Sequence, residues 1–384
     1  MRDKNLYGIS GLHQYVDAEN FGLILDNVNA KYNRAIWRQF ASWGKPTDDR
    51  EWKQGIKKTP ILVRASILGT HSGKPQRSTL GWEFYGGTLP QVGHGFNITK
   101  DDMIELRKEA KLRNVTFGEA LTDSFILNSD AMLGGVHNEL SYMVMQAMST
   151  GEIHDVAVDG ARYDFKFQIP DENFLAPESG KEWYTQDSNG NVTANSNADV
   201  VEDILTFQKY LTKTRNLGVD HWKLSDDLLD KILKHPSVVT AYKASKNYYH
   251  PEDVKVIRGD VLTWLHNDMK VWPFQEIDFQ SRHEEDGKPV ADEPAFDIHN
   301  MVAASRAYRP FEMKCMNSIL IDRVKMGGLD PSTRYSFVEG RIAVRNSWQE
   351  DPILNVIDCE LYAGPVFNNV HDYGIATVWK DYSE

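Results

Sequence analysis

The stretch that decides the fold runs from His137 to Phe167, HNELSYMVMQAMSTGEIHDVAVDGARYDFKF. Its first half spaces apolar residues like a helix, its second half alternates them like a hairpin, and Thr150-Gly151 stands between. With the residues just before it, Met132, Leu133, Val136, Leu140, Met143, Val144, Ala147 and Met148 recur at spacings of three and four. That predicts one broad apolar helix face about five turns long. At this spacing the methionines belong to a core face rather than to an adaptable binding groove. Gly151 suits the left-handed cap that ends such a helix. Beyond it Val156 and Val158 alternate up to Asp159-Gly160, a favoured two-residue hairpin turn, and Tyr163, Phe165, Phe167 and Ile169 alternate away. A two-residue loop sets Val158 opposite Ala161 and Val156 opposite Tyr163, so the apolar residues share one face. The stretch thus predicts a long helix lying on an antiparallel sheet.

Upstream, AENFGLILDNVNAKYNRAIWRQFASWG places Phe21, Ile24, Leu25 and Val28 on one helical face before Pro46 and TDDRE break it. Residues 1–59 are expected to form an N-terminal arm. Residues 60–90 read as two strands, ILVRASILG and LGWEFY, around a polar tip that carries Lys74, Gln76 and Arg77. A lone two-stranded hairpin is marginal in water and its edges invite pairing. Something outside it must hold it, either the body of the same chain or a neighbouring copy. NITKDDMIELRKEA then opens a helix with Thr99 as N-cap and Asp102 at the capping-box position, and FGEALTDSFIL is a second helical patch.

Downstream, PDENFLAPESGKEWYTQDSNGNVTANSNADV is polar and turn-rich, a loop of roughly thirty residues that borders a new domain or is functional. A helix follows with Val201, Leu205 and Leu211 inward, then LSDDLLDKILKHP with Ser225 as N-cap and Pro236 as stop. VIRGDVLTWLHNDMKVWPFQEIDFQ reads as a short helix entering a strand, and the whole as a second α/β lobe from about residue 199. The tail from Asp351 is strand-rich and is expected to return to the first sheet.

The 384 residues are 41% hydrophobic and 26% charged, an ordinary globular balance with material for two or three domains. No apolar run approaches the roughly 18 residues of a membrane span. The opening MRDKNLYGISGLHQY lacks a basic-then-apolar signal, so the sequons at Asn97, Asn114 and Asn191 are expected to carry no glycan. Cys315 and Cys359 cannot make a disulfide framework or a cysteine zinc site and are expected as buried thiols of a reducing compartment. The net charge of −12, without a long basic run, argues against a protein that grips DNA electrostatically. It does not argue against one that surrounds nucleic acid without sticking to it.

Catalytic chemistry is hard to find. His283, Glu284, Glu285, Asp292, Asp297 and His299 lie together in SRHEEDGKPVADEPAFDIHN, but their spacing matches no metal pattern and the run has the composition of a solvated loop. Arg258-Gly259-Asp260 falls where a helix begins, and MGGLDPSTR (326–334) lacks the Lys-Ser/Thr of a phosphate loop. No Ser/His/Asp or Cys/His arrangement stands out. No catalytic residue, cofactor or metal site is expected.

In order, the elements are arm, extended hairpin, long helix on an antiparallel sheet, α/β lobe and strand return. That α+β order resembles the major capsid proteins of tailed bacteriophages, specifically the lambda-type major capsid protein E family with the Hong Kong 97 fold. Four segments carry the resemblance: LPQVGHGFNITKDDMIELRKEA, HNELSYMVMQAMSTGEIHDV (Glu139, Thr150, Gly151, Ile153), KLSDDLLDKILKHPSV, and WQEDPILNVIDCELYAGPVFNN (Trp348, Asp351, Pro352, Pro365, Asn368). It covers roughly residues 60–384. It departs at Gly364-Pro365, where the family has Leu-Pro, at Asn197-Ala198-Asp199, and in the length of 281–312.

The resemblance implies an extended loop at 60–98 lying over a neighbouring subunit. It also implies a peripheral domain at 99–198 with a spine helix at 128–150, an axial domain at 199–349, and a strand return at 350–384. Lys74, Gln76 and Arg77 become inter-subunit contacts at the loop tip, and Val136, Leu140, Val144 and Met148 pack the spine helix. Lys74 lies where some relatives carry a crosslinking lysine, a chemistry not expected in this branch. The implied function is a structural shell of pentamers and hexamers around the double-stranded DNA of a tailed phage or prophage. Portal and scaffolding proteins are implied as partners and a decoration protein is allowed, with no membrane involved. The protein would reside in the virion, and in the host cytoplasm during assembly. An encapsulin-like cellular compartment, and an enzyme using a metal at the His283–His299 cluster, are the lesser alternatives.

Overall fold

The computed structural model describes residues 18–57, 82–156, 162–186, 191–247, 249–285, 288–291, 294–305, 309–318, 333–350 and 353–380. Helix α1 (Ala18–Asn29) buries Phe21, Leu25 and Val28 and half-buries Ile24, the face its sequence period predicts. The short α2 (Trp37–Phe40) and β1 (Ala41–Trp43) follow. Strand β2 (Glu51–Lys57) pairs with β3 (Trp82–Thr88). The sequence marks residues around 47–51 as a break and pairs LGWEFY with ILVRASILG. Residues 58–81, which hold that strand and the tip, lie outside the described residues, and the strand seen against β3 comes from the end of the segment expected as the N-terminal arm.

Strand β4 (Gln91–Thr99) runs into α3 (Lys100–Arg113) through the expected capping box. The Thr99 N–H donates to Asp102 Oδ2 at 2.8 Å, and the Asp102 N–H donates back to Thr99 Oγ1 at 3.4 Å. Helix α4 (Phe117–Thr150) is continuous over 34 residues, joining the two helical stretches of the sequence into one. A second capping box starts it: the Thr116 N–H donates to Glu119 Oε2 at 2.8 Å, and the Glu119 N–H to Thr116 Oγ1 at 3.2 Å. The polar Asn128-Ser129-Asp130 does not break it, because Ser129 is buried and Asp130 is held from outside by Lys31 and Tyr32. Gly151, at φ 75°, ends it.

Strands β5 (Glu152–Val156) and β6 (Arg162–Lys166) form the antiparallel hairpin, but one residue away from the expected register. Val156 faces Arg162 and Asp155 faces Tyr163, rather than Val156 facing Tyr163. The observed register sets buried Ile153 against Phe165 and places Glu152 opposite Lys166 and His154 opposite Asp164. Both polar pairs are ion-paired, at 2.5 and 2.7 Å. The expected register would have put Ile153 against Lys166, so cross-strand charge pairing and the burial of Ile153 decide against it. Residues 157–161, with the expected Asp159-Gly160 turn, lie outside the described residues.

The polar segment after Ile169 is not a bare loop. It contributes β7 (Phe174–Leu175), β8 (Tyr184–Gln186) and β9 (Val192–Ala194). Helix α5 (Val200–Lys209) runs into a π turn, Tyr210–Thr214. It buries Val200, Val201, Ile204 and Phe207, while Leu205 is half buried. Strand β10 (His221–Ser225) leads into α6 (Asp226–Lys234), where Ser225 Oγ accepts the Leu228 N–H. Pro236 both stops α6 and opens α7 (Pro236–Lys246), a position that needs no N–H. Helix α8 (Arg258–Asn267) precedes β11 (Phe274–Ile277). The acidic run read as a loop carries a hairpin, β12 (Arg282–Glu285) with β13 (Lys288–Ala291). The remaining strands are β14 (Asn300–Ala304), β15 (Phe311–Met316), β16 (Thr333–Val338), β17 (Ile342–Glu350), β18 (Ile353–Phe367), β19 (Gly374–Thr377) and β20 (Trp379–Lys380).

The chain divides into two compact units. The first, residues 1–52, 87–142 and 312–366, contains a sheet in the order β1-β15-β18-β17-β16, with β4 also paired to β18. The second, residues 53–86, 143–311 and 367–384, contains a sheet in the order β11-β10-β14-β19-β7 and the smaller β20-β8-β9. The C-terminal segment therefore supplies β18 to the first unit and β19 and β20 to the second. In the second unit Trp222, Leu224, Met301, Ala303 and Ala376 share a core with Val201, Ile204, Leu228, Ile232, Tyr242 and Leu265 of the helices. Short β7 and β8 find their partners in β19 and β20, about two hundred residues on, which local composition cannot reveal.

Leu140 is wholly buried on α4. Leu140→Asp is expected to cost several kcal/mol and leave the subunit insoluble, and Leu140→Ala to cost about 2–5 kcal/mol. Soluble yield and chemical denaturation check both.

Candidate functional site

The expected site residues fall into two groups. Lys74, Gln76 and Arg77 lie outside the described residues. Val136, Leu140, Val144 and Met148 are buried in a row along α4, and the Met148 carbonyl accepts the Tyr373 hydroxyl at 2.6 Å. Of the acidic run, Asp292 lies outside the described residues; among those described, His283 lies exposed on β12 and His299 Nδ1 sits 2.6 Å from Asp297 Oδ1. Among the described residues, only His250, Glu252 and Asp253 cluster closely enough to share an ion, and all three are exposed. Cys315 and Cys359 are buried free thiols. Burial pushes the Lys223 amine down to about 8 against the pull of Asp220, but it sits inside a sheet, away from any open surface. Arg258, the first residue of α8, pairs with Asp226, Asp230 and Glu276 rather than projecting as a ligand. A shallow cavity of 290 Å³ beside α6, α8 and β11 is lined by Leu229, Leu262, Thr263, His266, Pro273 and Glu276. Three of its polar side chains are engaged: Thr263 with the Gly259 carbonyl, His266 with the Val271 carbonyl, Glu276 with Arg258. No nucleophile and base converge there.

The most developed polar constellation in the first unit centres on Glu339, in the turn between β16 and β17. Its Oε1 accepts Asn29 Nδ2 at 2.7 Å and Arg38 Nη2 at 2.5 Å, and its Oε2 accepts Trp43 Nε1 at 2.5 Å. Asn29 Oδ1 lies 2.9 Å from His137 Nε2 on α4, and His137 Nδ1 lies 3.1 Å from Trp37 Nε1. Since indole can only donate, Nδ1 accepts, and Nε2 carries the ring proton to Asn29. Tyr32 stacks on the imidazole at 5.1 Å and places its hydroxyl 2.9 Å from Asp130 Oδ1. Every polar group is thus answered by another of the same chain. The arrangement pins residues 29–43 to α4 and to the β16–β17 turn, where Glu339 itself is held at φ 53°, unusual for a residue with a side chain. The partners lie up to 310 positions apart, so sequence reading passes over them.

Burial drives His137 down to about 4, helped by the Arg38 charge and opposed by Glu339. Burial would raise the Glu339 carboxyl, but the Arg38 charge and the hydrogen bonds from Asn29, Trp43 and Arg38 outweigh it and hold it low. The site is a neutral imidazole beside an ionised carboxylate, an arrangement that locks a chain segment in place.

No family model matches the chain, and no curated protein sequence matches it. Its structure is similar to that of a prophage protein from E. coli CFT073 assigned as a capsid protein, with a TM-score of 0.50, 11% identity, and coverage of 94% of this chain and 99% of the other. It is also similar to the mature capsid of bacteriophage PhiM1 (TM-score 0.44, 8% identity, 91% and 88% covered). The capsid of Myoviridae phage XM1 is a further match (TM-score 0.42, 12% identity, 89% and 91% covered). The fold rests on the first of these: the chain has the α+β, Hong Kong 97-type capsid fold.

The folded pKa of His137 lies below its ordinary value of 6.5, so below that pH the unfolded chain takes up a proton the folded chain refuses. Stability from this group is complete above about pH 6.5 and falls toward pH 4, by roughly 3 kcal/mol. Denaturation curves across that range for the wild type and His137→Gln should diverge by about this slope. At pH 7, Glu339→Ala should cost about 2–4 kcal/mol by stranding its three donors.

Proposed function

We propose that this chain is the major shell subunit of a tailed phage or prophage capsid, a structural protein rather than an enzyme. The observation that carries the reading is the shared fold with the prophage protein over nearly the whole chain. Two further features support it: the polar groups of the Glu339 constellation are engaged with one another, and the charge is acidic. A net −12 suits a container whose wall leaves its DNA free to pack.

In this reading the extended loop expected at 60–98 reaches over a neighbouring subunit as far as about residue 90, with Lys74, Gln76 and Arg77 at its tip, and β4 belongs to the subunit's own sheet. Helix residues 128–150 are the spine, packed through Val136, Leu140, Val144 and Met148. Residues 199–349 approach the five- and six-fold centres. Large obligate interfaces order such a subunit, and they would cover side chains now exposed, such as Phe84, Leu112 and Leu127. Self-assembly into pentamers and hexamers is the core of the proposal. Portal and scaffolding proteins as partners, and assembly in the host cytoplasm, follow from it.

Sedimentation velocity tests it. The wild type should form species far heavier than a 43.8 kDa subunit. The double variant Lys74→Ala/Arg77→Ala should keep the wild-type melting temperature while its large species diminish. Wild-type assembly from that variant contradicts the loop-tip assignment.

A further inference from the structure

The sheet of the first unit has three edges, and two are managed. Strand β1 is only three residues long. Along β16 runs α1, close enough that a Cβ built on Gly22 would lie 3.5 Å from Ser336 Oγ. The third edge is β4. It pairs with β18 from Gln91↔Tyr362 to Thr99↔Leu354 without a skipped residue, and among the described residues no strand lies on its other side.

Burial along β4 alternates except at His94, which is exposed. Val92 and Ile98 are buried, Phe96 is half buried, and His94 lies against Gly135 of α4, 3.5 Å from where a Cβ would stand. Gln91, Gly93, Gly95, Asn97 and Thr99 are exposed. The glycines have a structural reason: a Cβ on Gly95 would stand 3.0 Å from the Asp358 Cβ, and one on Gly93 would stand 3.0 Å from the Cys359 carbonyl. What lacks a reason in the isolated subunit is the absence of protection. Exposed edges are normally guarded by lysine, proline or a bulge. Here QVGHGFNIT contains no Lys, Arg, Asp, Glu or Pro, in a chain that is 26% charged.

We propose that the outer edge of β4 is an interface at which two copies of this chain pair antiparallel across a two-fold axis, joining their sheets. Alternate residues of β4 turn their N–H and C=O away from β18, and a second extended strand matches that row of donors and acceptors. Because α1 runs along β16, the sheet does not continue head to tail through its far edge, and the matching edge on a second copy is its own β4. Self-pairing of an uncharged strand sets no like charges opposite one another, and an isologous contact closes on itself. The proposal rests on the shell reading and says which surface of the subunit meets its neighbour.

Hydrogen exchange by mass spectrometry, read over residues 91–99 in assembled particles and in dissociated subunits, tests it, together with a charge swap. Gln91→Lys/Asn97→Lys and Gln91→Glu/Asn97→Glu should each fold normally and associate roughly ten-fold or more weakly alone, and mixing the two should restore association. Wild-type amides of β4 should slow on assembly. Particles that form equally well from either variant alone, with unchanged exchange in β4, overturn the edge pairing and leave the shell reading standing. Slow exchange already present in dissociated subunits also overturns it, since the edge is then covered by its own chain. A wild type that stays monomeric throughout overturns both.

Discussion

A 34-residue helix with a buried apolar face cannot stand alone, and its burial is the constraint the first unit is built on. At 1.5 Å per residue, α4 is roughly 50 Å long. Residues 117–142 belong to one compact unit and 143–150 to the other, so a single helix supplies core residues to both. What packs on it has shaped its sequence. Gly134 costs the helix about 1 kcal/mol relative to alanine, yet a Cβ there would lie 2.7 Å from the Tyr32 hydroxyl. That close approach lets Tyr32 reach Asp130 and stack on His137, linking the N-terminal segment to the helix through the Glu339 constellation.

Periodicity and caps made much of this visible in the sequence. The apolar spacing from Met132 to Met148, the Thr99–Asp102 box, the Gly151 terminator and the Ser225 cap each act within a few residues, and each predicts the element that forms. The misses all involve partners that sequence spacing does not display. The hairpin register sets Glu152 opposite Lys166 and His154 opposite Asp164, pairings that the alternation of apolar residues does not display. Strands β7 and β8 are polar fragments that pair only because β19 and β20 come back to them. The continuity of α4 was hidden by Asn128-Ser129-Asp130, though Thr116 and Glu119 had already marked its true start. Nothing local marked Glu339 as the acceptor for groups at 29, 38 and 43.

Functionally, the molecule concentrates its polar chemistry on holding itself together. Donors and acceptors meet around Glu339, and at the end of α4 the Ser149 carbonyl and Asp297 both accept Asn300 Nδ2. The unguarded edge of β4 and the exposed apolar side chains are where further copies have surface to gain. In the shell reading proposed above, such a protein does its work by being repeated.

Electron microscopy of the chain expressed alone, in negative stain, tests that claim most directly. The account predicts closed shells of uniform size, or rings with five- or six-fold symmetry. A homogeneous monomer at every concentration, carrying one tightly bound divalent metal per chain, would contradict it and turn attention back to an enzyme.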